Sequence, residues 1–360
     1  VRHIRDMSHL YIQLIMNPIT TNAVIATMTE PKNTADAMTM TDTSFSPQPT
    51  TTPVTNADAS ETNPNNTTNP TNPNNPNNPL LSINKLVLSG GSLKGCAHIG
   101  IIRYLEETNI LPQIQCIAGT SIGALIATLL TISYSSKELE LYIKQFDYIQ
   151  YQSIDIYHIL ECFGIDNFGK IMQFIATLFI NKRINPFITF HDLFQITHKH
   201  LVVNAVCLNT HENTFFDYLL TPQMPVITAV RASMSLPLMF GSTKHNGLTY
   251  IDGGLLNNFI IDFPLFQEAP DTVLGIILSN RTNCSVKEID NINQYMYHLF
   301  SCFYDAYLDL AIKPPPQSHI IRINVPKCQT YDFSLKDEEK DEIIQLGYYK
   351  IKEYFNSTNC

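Results

Sequence analysis

The chain has 360 residues, 44% of them apolar and only 15% charged, with a formal net charge of -9. The apolar share fills a sizeable core in one large domain or two ordinary ones, and the acidic balance with scattered Lys and Arg argues against a nucleic-acid binder, which needs a basic patch or stripe. Eight widely spaced cysteines with no Cys-x-x-Cys pair argue against a zinc site and read as buried thiols of a reducing, cytoplasmic setting.

At the N-terminus, Arg2 and Arg5 precede Leu10-Tyr11-Ile12-Gln13-Leu14-Ile15-Met16, a run too short and too interrupted for a signal peptide. No stretch reaches 18 apolar residues, so a membrane-spanning helix is not expected. From Thr41 to Pro79 the composition collapses to Thr, Asn, Pro and Ser, with repeated Asn-Pro pairs that block helix and sheet alike. Such a stretch cannot bury enough surface to offset its ordering entropy, so residues 1–79 are expected to be a disordered tether. Order is expected over residues 80–360.

Lys85-Leu86-Val87-Leu88-Ser89 reads as a buried strand that enters Gly90-Gly91-Ser92-Leu93-Lys94-Gly95 and then an apolar helix from Ala97 to Leu105. Strand, Gly-rich loop and helix form an anion-binding arrangement in outline. A Walker loop fails because Cys96 follows Gly95, and a dinucleotide fingerprint fails because Ser92 occupies the middle glycine. An oxyanion hole of backbone N–H groups remains. Ile114-Gln115-Cys116-Ile117-Ala118 is a second strand, followed by Gly119-Thr120-Ser121-Ile122-Gly123 and an apolar helix start, Ala124 to Leu130. A serine at the apex of a strand-to-helix turn is a nucleophile elbow, whose flanking Gly119 and Gly123 avoid collision with the neighbouring strand and helix. The competing reading makes Ser121 a plain helix N-cap.

Helices are expected over residues 136–147 and 168–181, with 153–166 mixed. Tyr148, Tyr151, Tyr157, Phe163, Phe168, Phe174 and Phe179 line an acyl pocket or, as is commoner, pack a core. His191, His198 and His200 show no metal-ligand spacing and read as surface or capping residues. Strands at 201–209 and 213–218 join through His211-Glu212-Asn213, and residues 226–237 read as a helix stopped by Pro237. Leu248 to Ile251 form a strand ending in Asp252-Gly253-Gly254, where catalytic groups of an α/β sheet sit, although the triplet also fits a simple turn. Strands over residues 272–278 and 318–325, a helix over 289–312 and an amphipathic helix over 336–355 complete the chain.

A serine nucleophile needs a base. Only His298 and His319 follow Asp252, neither in a promising loop, so a two-residue system with Asp252 as the base is the economical alternative to a triad. Together, Gly90-Gly91-Ser92-Leu93-Lys94-Gly95, Gly119-Thr120-Ser121-Ile122-Gly123 and Asp252-Gly253-Gly254 resemble the patatin-like phospholipase family in order and spacing. Ala229 to Pro237 and Asn257-Asn258 support that resemblance, which covers roughly residues 86–260. The resemblance implies a three-layer α/β fold with a mainly parallel sheet and a Ser121–Asp252 dyad. It also implies that the Gly90–Gly95 loop forms the oxyanion hole, with the amides around Gly91, Ser92 and Leu93 holding the oxyanion. The family's first motif reads Gly-Gly-Gly, so Ser92 departs from it, and a positive φ there would strain the hole. Lys94 fits either an anionic head group or a solvated loop. The expected activity is hydrolysis of phospholipid or lysolipid esters, without metal or organic cofactor, at a transient membrane-surface contact. A catalytically impaired lipid-binding protein is the alternative, and a nucleotide-dependent enzyme a distant third.

Overall fold

The computed structural model describes residues 82–154, 163–279, 314–325 and 335–358, with 289, 295, 298, 299 and 333. All belong to the unit Pro73–Cys360. The tether expected over 1–79, Tyr157, and most of the helix expected over 289–312 lie outside the described residues.

β1 (Lys85–Leu88) leads through a single 3-10 turn (Ser92–Gly95) into α1 (Cys96–Glu107). β2 (Cys116–Gly119) turns into α2 (Ile122–Thr131), followed by α3 (Ser136–Gln145) and the short α4 (Tyr148–Tyr151). Next come β3 (Gly164–Asp166), α5 (Gly169–Asn181) and α6 (Phe190–Thr197). β4 (His200–Cys207) and β5 (Glu212–Phe216) form a hairpin before α7 (Val226–Ser233). β6 (Leu238–Phe240), β7 (Thr243–His245), β8 (Leu248–Asp252) and α8 (Pro264–Glu268) follow. β9 (Val273–Ser279), β10 (His319–Asn324) and α9 (Asp337–Thr358) end the described chain.

The main sheet runs β10-β9-β1-β2-β4-β8-β7, with β5 paired to β4. Its strands from β10 to β4 are mutually parallel, and β8 returns antiparallel to β4. Parallel strands covered on both faces read as unbroken apolar runs, as Leu86, Val87 and Leu88 do at full burial. Phe259, Ile260, Ile261, Phe263 and Phe266 pack with Val87, Ala118, Val202 and Ile277 in one core cluster. α1 and α9 cross with backbones in contact: a Cβ on Gly100 would strike the Ile344 carbonyl, and one on Gly347 the Ala97 carbonyl. The fold is α/β, with a mainly parallel central sheet flanked by helices.

The helix expected to run to Pro237 ends at Ser233. The residue before a proline disfavours helical backbone, and the Ser235 hydroxyl satisfies the Arg231 carbonyl at 2.8 Å, closing the helix early. β5 begins at Glu212, so the hairpin turn lies just before it. β3, β6 and β7 have three residues each, too short for an alternating pattern to register. α6 is signalled by Thr189, whose hydroxyl accepts the Asp192 N–H at 3.1 Å. His200 is neither a surface nor a capping residue: its Nε2 lies 2.9 Å from the Asp217 carboxylate. Phe168 and Phe179 are fully buried core residues, while Phe146, Tyr151 and Phe174 form a ring cluster.

Candidate active site

Sheet register brings the motifs together. β1 and β2 are adjacent and parallel, with Leu88 opposite Gly119, so the glycine loop and the elbow leave the same edge. Gly119 is also opposite Val203 on β4. Two residues further along β4, Ala205 is opposite Asp252. Ser121 and Asp252 are therefore level, one on each side of β4. Asp252 ends a strand that runs antiparallel to β4.

The elbow is as tight as its glycines require. A Cβ on Gly119 would collide with the Gly123 carbonyl, and one on Gly123 with the Leu88 carbonyl. Ser121 takes φ 54°, left-handed backbone that costs a non-glycine residue roughly 1–2 kcal/mol. Its hydroxyl makes no capping bond to α2, although Ser121 stands at the N-cap position. Instead Oγ donates to Asp252 Oδ2 at 2.6 Å. That geometry favours the nucleophile reading over the plain cap.

Asp252 is 4% exposed. Its Oδ1 accepts the Gly254 N–H at 2.7 Å, and its own N–H donates to the Ser235 carbonyl at 2.9 Å. Burial pushes its carboxyl up from 3.8 to about 6, against the Ser121 and Gly254 hydrogen bonds that favour the charged form. A carboxylate poised there can accept a proton at neutral pH and give it back. Gly253 lets the turn approach the Asn204 side-chain amide, which a Cβ would meet at 2.7 Å.

The glycine loop lies against the serine: a Cβ on Gly90 would sit 3.1 Å from the Ser121 Cβ. Its donors divide. The Gly90 N–H goes to the Asn258 carbonyl at 3.2 Å, and the Lys94 N–H to the Gly91 carbonyl at 3.1 Å. Gly90 and Lys94 are thereby removed from the expected oxyanion donors, whereas the N–H groups of Gly91, Ser92 and Leu93 have no backbone acceptor among the described residues. Gly95 serves close packing, since a Cβ there would meet the Ile122 side chain at 2.6 Å. Lys94 is buried, at 4% exposure, which ends the solvated-loop reading.

Ser92 has φ 52°, and its Oγ is buried without a hydrogen-bond partner among the described residues. Both features disfavour Ser relative to the glycine of the resembled motif. Ser92→Gly should raise stability by about 1 kcal/mol in urea denaturation, after the entropic penalty of glycine is subtracted. Hydrolysis should be retained or rise, because the backbone N–H is unchanged.

The roles of several supporting residues escaped the sequence reading. Asn204, fully buried in β4, accepts the Thr120 hydroxyl at 2.8 Å and donates to the Asn257 carbonyl at 2.9 Å. Asn258 Nδ2 donates to the Gly90 carbonyl at 3.3 Å. A lone Asn inside the apolar run Leu201 to Cys207 was the available signal, because a buried amide needs partners. His98 Nε2 lies 2.9 Å from the Ser89 carbonyl, and burial holds this imidazole down at about 4, hence neutral. No histidine bonds Ser121 or Asp252 among the described residues. His319 opens β10, separated from β2 by β9 and β1, and its Nδ1 lies 3.3 Å from the Tyr354 hydroxyl.

A parallel α/β sheet that turns into a helix through a serine, with a buried carboxylate in bonding reach, has the geometry of a nucleophile elbow. A family model described as patatin-like phospholipase matches residues 86–265. An uncharacterised protein of Acanthamoeba polyphaga mimivirus is 29% identical over 283 residues, spanning 75% of this chain and 93% of its own. A probable lipid hydrolase of Invertebrate iridescent virus 6 is 31% identical over 183 residues, spanning 50% of this chain and 62% of that protein. VipD from Legionella pneumophila shares the fold, with a TM-score of 0.56 and 17% identity over 77% of this chain and 67% of that one. The chain belongs to the patatin-like phospholipase family, and its class is that of lipid hydrolases.

Proposed function

We propose that this protein hydrolyses acyl esters of phospholipids or lysolipids through a Ser121–Asp252 dyad and an acyl-enzyme. The observation that carries the reading is the 2.6 Å bond from Ser121 Oγ to Asp252 Oδ2, with no histidine bonded to either residue among the described residues. Ser121 Oγ attacks the ester carbonyl carbon while its proton passes to Asp252. The carbonyl oxygen becomes an oxyanion facing the N–H groups of Gly91, Ser92 and Leu93, beside the N-terminus of α2. Collapse breaks the ester C–O bond, and the leaving alkoxide takes the proton from Asp252. Water then attacks the acyl-enzyme, giving its proton to Asp252. Collapse releases the fatty acid, and that proton returns to Ser121 Oγ.

No described helix is long and apolar enough to cross a membrane. The substrate is met at a peripheral lipid contact in this reading. Phe163 at 57% exposure and Leu238 at 52% support it, with Lys244 Nζ 5.9 Å from the Phe163 ring.

The test is purified protein against vesicles and micelles of phospholipids and lysolipids, with a fluorophosphonate probe mapped by mass spectrometry. Fatty-acid release and a single adduct on Ser121 are expected. A folded protein that releases no fatty acid and takes no label would overturn the hydrolase reading in favour of a lipid-binding one, which the strained Ser92 makes the natural runner-up.

The acid limb is a separate prediction. Asp252 must be ionised to accept a proton, so kcat/KM should fall about tenfold per pH unit below about 6 and level off above it. A substrate with no group titrating between roughly pH 4 and 8 gives the profile cleanly. A limb centred near 4 would contradict the burial argument.

A further inference from the structure

The Ala229 to Pro237 segment carried part of the family resemblance, yet no step above uses it. It touches both members of the dyad. Ser233, fully buried at the end of α7, accepts the Ser121 N–H on its Oγ at 2.8 Å. Two residues later, the Ser235 carbonyl accepts the Asp252 N–H at 2.9 Å.

The Ser121 N–H needs such a partner because neither regular element can take it. The strand ladder ends one residue earlier, where the Thr120 N–H reaches the Leu88 carbonyl at 3.2 Å. The bonds of α2 begin two residues later, where the Gly123 N–H reaches the Thr120 carbonyl at 2.8 Å. Ser121 lies in the gap, at a backbone angle it would not adopt unaided. A serine at a helix C-terminus commonly bonds back to its own helix, as Ser235 just beyond α7 does to the Arg231 carbonyl. Ser233 instead reaches across to the elbow.

We propose that Ser233 is a positioning residue for the hydrolysis inferred above: its hydroxyl pins the Ser121 backbone and, together with the Ser235 carbonyl, fixes the distance from nucleophile to base. Two consequences follow. The Ser121 N–H is withdrawn from the oxyanion donors, leaving that task to the glycine loop. A small displacement of α7 would move both members of the dyad, and misplacement by about 1 Å can cost a hundredfold in rate.

The experiment compares Ser233→Ala with Ser233→Thr, which keeps the hydroxyl. Three quantities are read: kcat and KM, the rate of fluorophosphonate labelling at Ser121, and site-resolved amide exchange over residues 119–131. Ser233→Ala should lower kcat and the labelling rate about 10- to 100-fold with KM within twofold. It should speed exchange of the Ser121 amide at least about tenfold while later amides of α2 keep their protection. Ser233→Thr should recover most of the rate. Wild-type labelling and unchanged Ser121 exchange in Ser233→Ala would overturn the proposal, as would protection lost uniformly along α2. Should Ser233→Ala fail to fold, Ser233→Cys replaces it: the weakly accepting thiol should show the same slow labelling and fast exchange, and parity with Ser233→Thr would overturn the role. Amide exchange does not depend on turnover, so an inactive wild type would refute the dyad reading while the clamp is still decided.

Discussion

Ser121→Ala is expected to lower ester hydrolysis at least about a thousandfold and to abolish fluorophosphonate labelling, while the fold survives. The change deletes only Oγ. The Ser121 N–H keeps its bond to Ser233, because the backbone is unchanged, and alanine inherits the same left-handed angle without added strain. The loss falls on Asp252, whose Oδ2 is deprived of the hydroxyl donor that favours its charged form. Its carboxyl should rise above about 6, and at pH 8 the variant should be modestly less stable than wild type. Nucleophile and base act as one unit, so adding Asp252→Asn should cost little further activity. Rates in the double variant a further thousandfold lower would show that the two residues act in separate steps. Residual labelling of Ser121→Ala would place the nucleophile elsewhere.

Local sequence disclosed the site to the extent that its chemistry depends on small residues at fixed spacing. Gly119 and Gly123 were legible because the elbow leaves no room for a side chain, and Gly253 because a buried amide stands against it. The direction of β8 was not legible. Leu248 to Asp252 runs into two glycines whichever way it points, and only its pairing with β4 shows it to be antiparallel. Ser233 and Asn204 were missed for a related reason: a buried polar side chain announces that it needs a partner, never which one. His319 stayed in play as a triad member only until the sheet order separated β10 from β2 by β9 and β1. The six-residue glycine loop was legible as an anion site, and the resemblance singled out the amides around Gly91, Ser92 and Leu93, but the physical ground for dividing them from the Gly90 N–H was not legible. That division depends on Asn258, a residue far along the chain.

Asp252→Asn should separate activity from stability more sharply than any other change. Hydrolysis should fall at least about a thousandfold, because an amide cannot accept the serine proton. The new side chain is nearly isosteric: its oxygen can accept the Gly254 N–H, and its NH2 can donate to Ser121 Oγ, so both present contacts persist with one reversed in direction. What disappears is the energy of holding a charge at 4% exposure. Well below pH 3.8, folded and unfolded chains both carry the Asp252 proton and nothing is lost. As pH rises, the unfolded carboxyl ionises near 3.8 while the folded one resists until about 6, so stability falls across that window and stays lower above it. The interval corresponds to a few kcal/mol at most, on the order of 3. Asp252→Asn should therefore be more stable than wild type at pH 7.5, with the advantage vanishing by about pH 4. His98 sets the opposite slope. Its folded imidazole resists protonation down to about 4 while the unfolded one ionises near 6.5, so stability falls as pH drops through that range. In wild type the two trends partly cancel between pH 4 and 6. Asp252→Asn removes the first of these trends and keeps the second, so its stability should decline more steeply on acidification. Urea denaturation of both proteins at pH 4.5 and 7.5 measures this directly. A variant no more stable than wild type at pH 7.5 would mean that the Asp252 carboxylate is better solvated than its burial implies, and the acid limb near 6 would fail with it.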